Sequence, residues 1–102
     1  MQTLAERLRP YIQHSAQRPL VGAGVYPSLC WCIEAAHRAG DASPAEFEAL
    51  RAAVGADRVA SGRRYMFKAE TFAGDLEPRC RQWEAWATGL VEQVQKELDK
   101  QA

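Results

Sequence analysis

Glu77-Pro-Arg-Cys-Arg-Gln-Trp-Glu-Ala-Trp-Ala-Thr-Gly-Leu-Val-Glu-Gln-Val-Gln-Lys-Glu-Leu98 is the stretch around which the rest of the chain has to fold. Cys80, Trp83, Ala87, Leu90, Val91, Val94 and Leu98 recur at steps of three and four. On a helix this spacing gathers them within about a third of a turn of one another. Glu84, Ala85, Thr88, Glu92, Gln95 and Lys96 fall on the other side. Pro78 suits a first helical turn, where its missing N–H would have had no partner. Glu92 and Lys96 stand in the favourable acid-before-base order one turn apart. The spacing predicts a long C-terminal helix with one apolar stripe, which upstream elements must cover.

The upstream segments read as helices too. Thr3-Leu-Ala-Glu6 has the form of a capping box, followed by Leu4, Leu8, Tyr11, Ile12 and Ser15 along one side. Pro10 lies inside that pattern and removes one ladder donor, so this helix either kinks or restarts there. Gln17 to Pro27 carries two glycines and two prolines and reads as a connection. Its Gly-Ala-Gly lacks the third glycine, the preceding strand and the following acid of a dinucleotide fingerprint. A second helix is expected from about Pro27 to Ala39, with Gly40 ending it in a left-handed conformation. Leu29, Cys32, Ile33 and Ala36 form its apolar side, and only Glu34 is charged between Val25 and His37. A helix this apolar reads as the central one. Ser43-Pro-Ala-Glu46 opens a third helix with a cap, a first-turn proline and a closing glutamate. Phe47, Leu50 and Val54 share a face of it, and Gly55 is read as its end. The short Gly40–Ser43 join makes helices two and three antiparallel neighbours.

Residues 55–64 form the longest polar stretch and are expected to be an exposed loop. Tyr65 to Phe72 fits a helical face through Tyr65, Ala69 and Phe72, and also alternates like a strand. Helix is the preferred reading. The fold class expected is all-α: one small domain over residues 1–102, with four to five helices and a long C-terminal one.

The bulk composition fits one globular domain. Apolar residues make up 47% and charged residues 25% of 102, which is ordinary. A chain of this size buries roughly two-thirds of its unfolded surface. No 18-residue apolar run exists, so no membrane span is expected. The N-terminal segment has an acid and no apolar run, so it does not read as a signal peptide. Three cysteines without framework spacing point to a reducing compartment, and the cytoplasm is the expected location. Thirteen bases balance thirteen acids, whereas duplex-DNA binders carry a basic excess. The balance is uneven: residues 21–57 carry a net of −3 and residues 58–70 a net of +3.

Three kinds of chemistry bear on these residues. Zinc needs converging ligands, yet Cys30 and Cys32 diverge by about 160° on a helix, and Cys30 with His37 supplies only two. No metal and no cofactor is expected. No nucleophile–base–orienter set is recognisable, so a small enzyme with a site assembled by the fold ranks third among the function readings. Arg58, Arg63, Arg64, Tyr65, Phe67 and Lys68 mix guanidinium groups with aromatics, a combination that grips phosphates and stacks on bases. Recognition of nucleic acid or a nucleotide through 58–68 is therefore the alternative function. Trp31 and Trp86 lie off their helices' apolar stripes, Trp31 near Glu34 and Arg38, where aromatics anchor protein contacts.

Tyr26-Pro-Ser-Leu-Cys-Trp-Cys-Ile33, Ala35-Ala-His-Arg-Ala-Gly40, Phe47-Glu-Ala-Leu50 and Arg81-Gln-Trp-Glu-Ala-Trp-Ala-Thr-Gly-Leu-Val91 follow one another in an order that resembles small helical accessory proteins of bacteriophage and prophage genomes. The resemblance spans residues 26–98 and transfers no catalytic residue. It implies a setting in which such proteins bind a host protein, components of antiviral defence included. The leading expectation is a non-enzymatic binding protein, an inhibitor of the phage type occupying a surface of a host complex, with Trp31, Glu34, Arg38 and Trp86 as contact residues.

Overall fold

The computed structural model describes residues 2–16, 25–61 and 76–101. These residues form four helices: α1 (Leu4–Ala16), α2 (Val25–Arg38), α3 (Pro44–Ser61) and α4 (Leu76–Gln101). No strand occurs among the described residues. Residues 65–72, expected to be helix, and the Gly-Ala-Gly connection lie outside them.

The two capping boxes form as the sequence implies. The Glu6 N–H donates to Thr3 Oγ1 at 3.1 Å and the Thr3 N–H to Glu6 Oε1 at 3.2 Å. The Glu46 N–H donates to Ser43 Oγ at 3.1 Å and the Ser43 N–H to Glu46 Oε1 at 2.9 Å. Each box satisfies two backbone donors that the helix leaves without intrahelical partners. α1 continues through Pro10 to Ala16. Both Pro10 and Glu6, whose carbonyl loses its usual partner, are exposed, so water can take the place of the missing N–H. α2 begins at Val25, two residues before Pro27, and the proline sits in the first turn where its missing donor costs nothing.

α2 is terminated by Gly40 two residues past Arg38, with a φ of 85°, the left-handed value. The Asp41 N–H reaches back to the Ala36 carbonyl at 2.8 Å and the Gly40 N–H to His37 at 3.1 Å. This pair of bonds closes the helix as a Schellman motif. Three residues later the Ser43 box opens α3. The two helices run antiparallel: His37 stacks on Phe47 at one end, and the Tyr26 hydroxyl donates to Asp57 Oδ2 at 2.6 Å at the other.

One expectation fails here. Gly55 does not end α3, which runs on to Ser61, so residues 55–61 are helix and not loop. Residues 55–60 are still exposed, apart from half-buried Asp57, but Ala52, Ala53, Ala56 and Ala60 are strong helix formers that outweigh one glycine. The Tyr26–Asp57 bond ties the extension to α2. Residues 62–64 lie outside the described set.

The helices close in a ring, α1 on α2, α2 on α3, α3 on α4 and α4 back on α1. At about 1.5 Å per residue, the 26 residues of α4 match the 40 Å length of the molecule. Trp83, Ala87, Val91 and Val94 are buried, with Cys80, Leu90 and Leu98 at the margin. They meet Leu4, Leu8 and Ile12 from α1 and Leu29, Cys32, Ile33 and Ala36 from α2 in one core. Trp83 is the largest fully buried side chain, and its indole N–H donates to the Val25 carbonyl at 3.1 Å. Gln95 is half-buried, not a solvent-face residue, because its Oε1 accepts the Leu4 N–H at 2.8 Å. Along α4 the polar side chains pair at Gln93–Glu97, Gln95–Asp99 and Glu97–Lys100, not at Glu92–Lys96. No helix of the described residues is long and apolar enough to cross a membrane.

Candidate functional site

α2 is amphipathic in an unequal way. Seven of its 14 residues are buried, so what remains outside is a narrow strip. Trp31 stands on that strip, 48% exposed, beside exposed Cys30 and Glu34. Its ring stacks on His14 of α1, centroids 5.6 Å apart and planes 30° from parallel. One turn on, Glu34 and Arg38 form an exposed ion pair at 3.6 Å. Screening and side-chain entropy leave such a pair little stabilising value. Trp31, Glu34 and Arg38 share the exposed strip of α2, and the fold adds His14. No spacing links His14 to Trp31, 17 residues later; only the α1–α2 packing does.

Trp86 belongs to a different place. It is half-buried against the core, its ring edge-on to Tyr26 at 5.5 Å. It also lines a shallow depression between α3 and α4 with Ala53, Ala85, Gly89 and Leu90. It is not part of the Trp31 patch.

Around the edge of α2 from Trp31, a groove of roughly 390 Å³ opens toward α3. Ile33, Val54 and Phe47 supply apolar lining, and Arg51 and Arg58 come from α3. The Arg51 guanidinium lies 5.5 Å from the centre of the Phe47 ring. Cys30 and Glu34 form the α2 lip. Burial pushes the Cys30 thiol up, Glu34 adds to that, and Arg51 and Arg58 pull the other way. A thiol so placed is a poor nucleophile at neutral pH. Cys32 is fully buried, its Sγ 3.3 Å from the Tyr11 carbonyl and 3.4 Å from Ser15 Oγ, and burial raises it to about 11. No disulfide joins Cys30, Cys32 or Cys80. Among the described residues no three His, Cys, Asp or Glu side chains converge as metal ligands would.

Of the basic-aromatic segment only Arg58 lies within the described residues, exposed on the helical extension of α3. Arg63, Arg64, Tyr65, Phe67 and Lys68 lie outside them. Arg51, one face of α3 with Arg58 and two turns earlier, is a groove residue that sequence reasoning passed over. The signal was present in the seven-residue spacing, but Gly55 was read as a break between them.

A further polar cluster lies at the corner where α1 meets the α2–α3 join. Arg7 donates through Nη1 and Nη2 to Glu46 Oε1 and Oε2 at 2.8 and 2.7 Å, and through Nη1 to the Asp41 carbonyl at 2.8 Å. The Tyr11 hydroxyl donates to Asp41 Oδ2 at 2.5 Å. The guanidinium, the Ser43 N–H and the Ser43 hydroxyl hold Glu46 down at about 2 against the desolvation that raises it. Every member of this cluster already has a partner, so its role is to fix the corner.

Compared with known protein families, with curated proteins and with solved structures, the chain matches none.

Proposed function

We propose that this chain is a non-enzymatic binding protein that docks on a protein partner through the exposed strip of α2, with Trp31 as the anchor. The observation that carries the reading is the exposure of Trp31 on the helix that is otherwise the most apolar in the chain. A large aromatic left in water forgoes about 1.5–3 kcal/mol of burial, and a partner's pocket can recover it. The His14 stack holds the indole in place before any partner arrives, which lowers the ordering cost of binding. Glu34 and Arg38 supply a charged rim of the kind that surrounds an anchor. The resemblance to phage accessory proteins supports a partner of host origin, and inhibition of a defence complex is the finer form of the reading.

Affinity capture from bacterial lysate, run in parallel with the wild-type chain and Trp31→Ala and read by mass spectrometry, tests it. A purified captured protein should bind Trp31→Ala about thirtyfold more weakly, the loss typical of an anchor. Because the side chain is half exposed, the variant should stay folded, its stability within about 1 kcal/mol of wild type. Equal capture by both baits overturns the reading. A salt-dependent gel shift with RNA or DNA, in the absence of any captured protein, replaces it with the nucleic-acid alternative.

A further inference from the structure

We draw no further inference here: the strongest candidate, the shallow depression between α3 and α4 lined by Ala53, Ala85 and Gly89 with Trp86 and Leu90, is an apolar face, and nothing in the structure shows what covers it.

Discussion

The seam around Trp83 and the corner around Arg7 hold one bundle by different physics. The seam is dry: Trp83, Ala87 and Val91 have no exposed surface, and the single polar atom of the indole is satisfied by Val25. Its contribution is burial, in which no titrating group takes part. The corner is wet at its edge, with Arg7 and Glu46 a quarter and a fifth exposed, and it depends on a charged, bidentate pair. The difference teaches that the long helix supplies the stability, while the corner fixes how α1 meets the α2–α3 hairpin.

The largest test breaks the seam. Trp83→Ala should cost about 3–5 kcal/mol in urea denaturation, the range for a large aromatic removed from a core, a large fraction of what a domain of this size has. A loss below about 1 kcal/mol would mean that the seam is not where the stability resides. The corner should give less. Glu46→Gln removes the charge and one acceptor and should cost about 1–3 kcal/mol, the value of hydrogen bonds to ionised groups.

The pH dependence sharpens the contrast. Glu46 is depressed from 4.5 to about 2, first by Arg7. Its stabilisation is therefore full above pH 4.5 and is lost as the pH falls through 4.5 toward 2. A shift of that size corresponds to up to about 3 kcal/mol, reduced by the partial exposure of the pair. Denaturation at pH 7, 4.5 and 2.5 should show this loss in wild type and in Trp83→Ala, and a flatter profile in Glu46→Gln. An unchanged profile in Glu46→Gln would assign the acid sensitivity to other carboxylates.

The smallest effects should come from two glycines and have opposite signs. Gly40→Ala forces a side chain into the left-handed region and should cost about 1–2 kcal/mol. Gly55→Ala should stabilise by about 0.5–1 kcal/mol, since the backbone there is helical and the space open. Thermal melts of the two variants read the difference directly.

The same two glycines mark the limit of what the residues alone disclose. Gly40 was legible as a terminator because Ser43, Pro44 and Glu46 begin the next helix immediately after it. Gly55 looked alike but has no cap behind it, and the contact that decides it, Tyr26 to Asp57, lies 31 residues back in the chain. The terminal stripe was legible because periodicity is local. The Arg7–Glu46 pair, 39 residues apart, and the Trp31–His14 stack were not, because only packing of the helices brings them together. The patch was therefore only partly readable: Trp31, Glu34 and Arg38 from their positions on one helix, His14 only from the packing of α1 on α2.

The bond from the Leu4 N–H to Gln95 closes a span of 91 residues, and it bears on the order in which the bundle assembles. Ring closure between α1 and α4 needs nearly the whole chain to be gathered, whereas α2 and α3 meet across a five-residue join. Loop entropy rises with the logarithm of length, and local contacts are formed early. The α2–α3 hairpin is thus the expected nucleus, with α1 docking on α4 afterwards. Stopped-flow kinetics should show Ser43→Ala slowing refolding and Leu4→Ala mainly accelerating unfolding.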